Sequence, residues 1–451
     1  MPSGLIVVIG GGISGLGVAY SLQQAGIPVR LLEAGAEVGG VIRSVRADGF
    51  LIECGPNSAL NTSLEVERVI ERLGLLPERV FALSSARKRF IVKHGVPVPL
   101  PTGLWSFMTT PLWSGRAKWR LLGEVFRAPV PPGDESVADF VRRRLGAEFL
   151  EYAVDPFVSG VYAGDPEALS LAATFPRLAA LERNHGGLIR GAIARIGRSE
   201  APKPVRRGIY SFRDGMAALP RAIGSRLGDA LWVNTRSRRI EPMASGFRVH
   251  VERGGMAQQI EAARVVVATP AHVAADLLRS LAPGLAEELA AIVYAPVAVV
   301  FTAFARTAVT HSLDGFGCLV PRREQDTILG SLWSSSLFPG RSPSDLVALT
   351  NFVGGARHPN LVDRSDDELV RLVCEDLARL LGVRSAPVLS RVIRHPRAIP
   401  QYLMGHLDRV ARIRRALDAL PGLALAGNYL EGVAVGDCLA RGVELGRRLS
   451  R

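Results

Sequence analysis

Apolar and polar positions along the chain predict a strand–helix–strand opening. Leu5 to Ile9 is a continuous apolar run rich in β-branched residues, the pattern of a strand buried on both faces. Apolar residues recur at helical spacing from Leu16 to Ala25, and Val29 to Leu32 repeats the strand pattern. Arg264 to Pro270 reads as another buried strand; so does Ala424 to Asn428, before a loop and a helix from about Val435 to Leu449. Between 273 and 410, strand-like runs at Val297 to Phe304 and Leu346 to Val353 alternate with an amphipathic helix near 366–381. Residues 134–200 read as mainly helical, with turns at Gly160, Gly164-Asp165-Pro166 and Gly186-Gly187; the Arg/Pro/Gly-rich stretch 196–209 reads as a mobile loop. The longest apolar stretch, Val293 to Ala305, is well short of the ~20 residues of a membrane-spanning helix. The N-terminus enters its first strand without a basic segment or cleavage site, so a secreted or membrane-spanning protein is not expected.

The turn after the first strand holds the first chemistry. Gly10-Gly11-Gly12-Ile13-Ser14-Gly15 is GxGxxG between a strand and a helix, the context that makes this pattern informative. Gly10 permits the tight turn, Gly12 lets a pyrophosphate approach the backbone, and Gly15 lets helix and strand pack closely. The helix start at Ile13 and Ser14 offers free N–H groups and a positive dipole end. Glu33-Ala34 ends the second strand, and a carboxylate there suits ribose hydroxyls and repels a 2′-phosphate. Four residues after Glu33 comes Val38-Gly39-Gly40, then Arg43, and Gly49 to Gly55 fits G-x3-[DE]-x-G with Glu53 as the acid. Together these pieces resemble the FAD-binding signature of the amine oxidase-like flavoproteins, which implies FAD rather than NAD.

With 451 residues, about three domains of roughly 150 residues are expected. The expected fold is α/β: a discontinuous Rossmann-like FAD-binding domain (1–79, 205–272, 412–451), an α+β substrate domain (80–95, 273–411) and an inserted helical domain (96–204). Residues 97–133 hold seven prolines and three tryptophans, Trp105, Trp113 and Trp119. They read either as an interfacial element on a membrane or as a helical cap over the substrate site.

Composition adds little. Net charge is +13, and 51 of the 55 basic residues are arginine, with lysine only at 88, 93, 118 and 203. Genomic base composition accounts for this as simply as attraction to anions does, and without basic runs or aromatic–basic interleaving no nucleic-acid partner is expected. Cys54, Cys318, Cys374 and Cys438 have no ligand or disulfide spacing, so a reducing cytoplasm and no metal are expected.

The middle of the chain resembles the protoporphyrinogen oxidase family. The residues that carry this are Asp155-Pro-Phe-Val-Ser-Gly-Val-Tyr-Ala-Gly-Asp-Pro-Glu-Ala-Leu-Ser170, Ala173-Thr-Phe-Pro176, Gly55-Pro56-Asn57-Ser58, Thr350 to Gly355, Ile399 to Tyr402 with Gly405-His406, and Gly427-Asn428 through Gly432-Val433. The resemblance implies oxidation of protoporphyrinogen IX to protoporphyrin IX in three two-electron rounds by FAD, with O2 as acceptor and H2O2 released. It places a propionate on Arg89, an aromatic contact at Trp333 and a backbone contact at Gly160; a surface charge, core packing and a tight turn are the plain alternatives. FAD would meet Val433, Ala434 and Val435, and, through departures from the family pattern, Ser237 and His395. No acid–base residue is expected. Peripheral contact of a cytoplasmic protein with the inner membrane, handover of product to ferrochelatase and a homodimer are further implications. Coproporphyrinogen III oxidase is the near rival. A flavin amine oxidase is disfavoured because no lysine follows Lys203, and a porphyrin carrier without turnover because all three glycine elements are intact.

Overall fold

The computed structural model describes residues 4–127, 133–194 and 207–451, so most of the loop expected at 196–209 lies outside the described residues. Its nucleotide-binding part is built on a parallel five-stranded sheet in the order Leu231–Trp232, Val29–Leu32, Ile6–Ile9, Arg264–Val267, Leu423–Leu425. Alternate residues of Ile6–Ile9 serve opposite cores. Ile6 and Val8 join the helices Ile13–Gln24, Ala218–Leu227 and Val435–Leu449, whereas Val7 and Ile9 join Ala271–Leu278, Pro283–Ala290 and an antiparallel three-stranded layer over 235–262. A strand covered on both faces must be apolar throughout, which is why this sheet was visible as unbroken runs.

The substrate-side sheet has seven strands in the order Leu389–Pro400, Tyr294–Ala305, Leu346–Gly354, Ile328–Leu332, Gly315–Leu319, Lys88–Lys93, Val96–Pro99. Helix Asp366–Leu381 closes one face of it, with Leu369, Val373 and Leu377 buried against Val300, Leu349 and Val353. At its ends the Ser365 hydroxyl accepts from the Glu368 N–H at 3.3 Å, and Gly382 stops it at φ 64°. The third part is helical and packs Phe140, Phe149, Tyr152, Tyr162 and Trp113 into its own core.

Some expected boundaries move. Val96–Pro99 pairs with Lys88–Lys93 and so belongs to the sheet rather than to the helical part. Helices Ala271–Leu278, Pro283–Ala290 and His406–Asp418 bury their apolar faces on the nucleotide-binding core, not on the substrate sheet.

One buried ion pair joins the hairpin of strands Ser44–Ala47 and Phe50–Glu53 to the loop that precedes strand Leu346–Gly354 of the substrate-side sheet. Glu53 and Arg341 have side chains only 4% and 3% exposed, and Arg341 Nη1 donates to Glu53 Oε1 at 2.8 Å. The same carboxylate accepts from the Met216 N–H (3.0 Å) and from the Ser44 hydroxyl, while Arg341 Nη2 donates to Ser211 Oγ. Burial pushes the Glu53 carboxyl above its ordinary range, opposed by Arg341 and these donors. Removing one partner strands the other charge, so Arg341→Met should destabilise the protein by about 3–5 kcal/mol in denaturant unfolding. Adding Glu53→Gln should recover part of that loss.

Candidate functional site

The glycine loop is shaped as its spacing requires. Gly10 has φ 107°, and a Cβ there would lie 2.8 Å from Ala268 O; a Cβ on Gly15 would lie 2.0 Å from Gly10 O. At Gly12, by contrast, a Cβ would meet nothing within 4 Å, so this backbone faces open space. Gly39, at φ 115°, donates its N–H to Gly11 O (2.8 Å), which sets the Gly39-Gly40 turn beside Gly12. The Glu33 carboxylate accepts from Gly11 N–H and Gly35 N–H, both 2.7 Å. Each carboxylate oxygen keeps a second acceptor site for a hydroxyl. Ala34 is exposed next to it.

Two helices start at this place. Gly12 caps Ile13–Gln24 and Ala434 caps Val435–Leu449, and neither start has a side-chain cap, so both leave N–H groups free. The helices run parallel and very close, with Cβ positions of Gly442 and Gly446 at 2.3 Å from Ser14 O and 2.6 Å from Ser21 Cβ. Two positive dipole ends therefore lie side by side. The turn Gly55-Pro56-Asn57-Ser58 leads to Leu60, whose carbonyl is 3.8 Å from the Cβ position of Gly436, next to Val433, Ala434 and Val435. His395 reaches the same turn, its Nε2 2.7 Å from Cys54 O. Ser237 lies beyond Thr235, which donates to Glu33 O at 2.8 Å; the Ser237 hydroxyl is buried without a partner. Open backbone at Gly12, two uncapped helix starts and an unsatisfied buried hydroxyl are what an extended dinucleotide needs, so these residues fit FAD.

The face of the substrate sheet opposite helix 366–381 carries the second group. Arg89 is exposed, 5.5 Å from the Phe316 ring centroid, and no acidic side chain among the described residues pairs with it. Leu319, paired with Ile91 on the neighbouring strand, lies under Gly160, where a Cβ would be 2.5 Å from it. Arg89 and Gly160 are thus brought to one wall. Trp333 is not, and its expected contact with a ring is corrected. It is 0% exposed, packed between Phe90 (5.1 Å) and His311 (4.8 Å) in the core beneath the helix. Successive residues at a strand end point to opposite faces, and here the half-buried Leu332 faces the site side.

The nearby titratable groups are held neutral. Burial pushes Tyr162 up to about 12 and also raises Tyr402, and it pushes His406 down to about 4. Tyr402 donates to Asn428 O and stacks on His406 at 4.4 Å, and the Gln401 amide donates to Tyr162 O at 2.9 Å. The Ile399–Tyr402 and Gly405-His406 segments thus brace the site, a role that their composition did not announce. Asp155 and Arg357, paired at 3.1 Å, were likewise not singled out; no local pattern links positions so far apart. Among the described residues no cluster of His, Cys, Asp or Glu could hold a metal ion.

Comparison with known proteins agrees with this geometry. The family described as flavin-containing amine oxidoreductase matches residues 13–448. A chloroplastic protoporphyrinogen oxidase of Oryza sativa subsp. japonica is 37% identical, over 98% of this chain and 88% of its own length. A coproporphyrinogen III oxidase of Propionibacterium freudenreichii is 32% identical over 96% and 88%. A crystal structure of a candidate protoporphyrinogen oxidase from Exiguobacterium sp. superposes with TM-score 0.83 at 27% identity, covering 100% of this chain and 99% of that one. The chain therefore belongs to the protoporphyrinogen oxidase family within the flavin-containing amine oxidoreductases and is an FAD-dependent oxidoreductase.

Proposed function

We propose that this enzyme oxidises protoporphyrinogen IX to protoporphyrin IX, passing six electrons to O2 and producing H2O2. The observation that carries this reading is Arg89, a cation without an acidic partner among the described residues, at the edge of an apolar wall. A porphyrinogen is an apolar macrocycle with peripheral carboxylates, and a guanidinium fork suits one of them. FAD, when bound, supplies the two-electron acceptor. The chain's own part is to hold the dinucleotide on Gly12, Gly40 and the two helix starts, to orient the ring on the wall, and to exclude water. Burial favours the neutral forms of Tyr162, Tyr402 and His406, which suits a substrate whose pyrrole proton needs little help.

Coproporphyrinogen III, with more carboxylates, is the second reading, favoured by the identity to coproporphyrinogen III oxidases. Arg89, the one wall arginine identified among the described residues, supports the substrate with fewer carboxylates. We also read Leu104, Trp105, Met108, Trp119, Leu122 and Phe126, all exposed on consecutive short helices with Arg116, as a peripheral membrane contact. Lys118 Nζ donates to Met108 O and Thr110 O (2.9 and 2.7 Å), and Lys93 Nζ to Pro111 O and Leu112 O (2.8 and 2.9 Å), which holds this surface in shape. Trp113, the third tryptophan of the segment, is buried instead.

Paired fluorescence assays in air with protoporphyrinogen IX and coproporphyrinogen III, with H2O2 measured alongside, should show faster turnover of the first. Faster turnover of the second would move the substrate and keep the chemistry. Arg89→Ala should raise KM roughly tenfold to a hundredfold with FAD retained, since a charged hydrogen bond contributes about 1.5–3 kcal/mol. Trp105→Ser combined with Trp119→Ser should lower co-sedimentation with phosphatidylcholine/phosphatidylglycerol vesicles while kcat in detergent stays that of the parent.

A further inference from the structure

Three separate segments converge on the eight-residue helix Asp155–Tyr162. Its N-terminal end is held by Asp155, whose Oδ2 accepts from the Arg322 N–H at 2.7 Å and from Arg357 Nη2 at 3.1 Å. Both ion-pair side chains are almost fully buried, and Arg357 Nη1 also donates to Val320 O at 2.9 Å. Its C-terminal end is held twice: Gln401 donates to Tyr162 O, and Ala356 N–H donates to the carbonyl of Ala163, which closes the helix at φ 48°. The holding residues come from the turn at Val320–Arg322, from the segment that follows the strand ending at Gly354, and from the segment after Pro400.

The residues just before this helix, Leu150–Val154, form a π-helical turn. A π turn takes more residues per revolution than an α turn, so it rotates everything downstream about the helix axis, and such turns are frequent at functional sites. Beyond it, Phe157 (46% exposed), Gly160 and Val161 (41% exposed) lie on one face at i, i+3 and i+4. Apolar side chains at this spacing usually turn inward. These instead stay open beside Leu319, with Phe175 6.0 Å from Phe157, while Tyr162 at the helix end packs in the same cluster as Val433.

We propose that Asp155 and Arg357 are positioning residues for substrate: their buried pair fixes the junction of π and α turns, so that Phe157 and Val161 face the ring of the bound porphyrinogen. This rests on the porphyrinogen reading above. Neither residue touches the ligand. The pair acts by setting the rotation of a helix whose exposed apolar face would otherwise turn away from the site.

The test uses the FAD-loaded wild type, Asp155→Asn and Phe157→Ala, with kinetics in the preferred porphyrinogen, titration of the matching porphyrin by its Soret shift, flavin content and thermal midpoint. Both variants should raise KM and the porphyrin Kd together by roughly fivefold to tenfold, with kcat within about twofold and flavin content unchanged. Phe157→Ala is the folding-neutral arm, because the side chain is half exposed and takes no part in the ion pair. Wild-type KM and Kd in both variants would overturn the proposal and leave the function standing. Loss of flavin in step with KM in Asp155→Asn, with Phe157→Ala silent, would reduce the pair to a structural role and also overturn it. A wild type that oxidises neither porphyrinogen and binds neither porphyrin would overturn the proposed function itself.

Discussion

The buried contact of Glu53 with Arg341 is the constraint on which the arrangement of the site depends. Taking both charges out of water is expensive, and the pair is tolerable only because its remaining donors and acceptors are used by Ser44, Ser211 and the Met216 N–H. Ser44 and Glu53 belong to the hairpin that runs into the Gly55 turn, whereas Arg341 lies between two strands of the substrate sheet. One interaction therefore sets where the flavin-side turn sits relative to the wall that carries Arg89 and Leu319. His395, bonded to Cys54 O, adds a second tie between the same two parts.

Within that frame the electrostatics are simple. Two helices, packed together through Gly17, Gly442 and Gly446, both begin without a side-chain cap and so leave free N–H groups at neighbouring starts. Close approach of two like dipole ends is unfavourable unless something negative lies between them, which suits a pyrophosphate or a reduced flavin. Around them the phenols and the buried imidazole stay neutral, and the cation on the substrate wall is an arginine. That arrangement is consistent with the proposed function, in which the protein's part is orientation and exclusion of water.

The segments by which this chain resembles its family turn out to be largely mechanical. Asp155, Gln401 and Tyr402 are buried in hydrogen bonds to backbone or to Arg357, and they fasten one short helix and one turn rather than meet a ligand. Trp333 makes the converse point. The resemblance places an aromatic contact there, yet one step along a strand reverses the face, and the ring belongs to the core under helix 366–381.

Local order was legible because it is periodic. The apolar runs of the doubly covered sheet, GxGxxG between strand and helix, the amphipathic helix near 366–381 and the start of the last helix at Val435 all follow from neighbours within a few residues. The Glu33 position could be named for the same reason, since a strand of known length ends there. Partners such as Arg341 for Glu53 and Arg357 for Asp155 could not, being 288 and 202 residues away. A guanidinium has the same local signature whether it is buried in a pair or solvated, and this chain has 51 of them. Only packing removes water from a few, and that removal decides which charges hold the site together and which, like Arg89, remain open to a ligand.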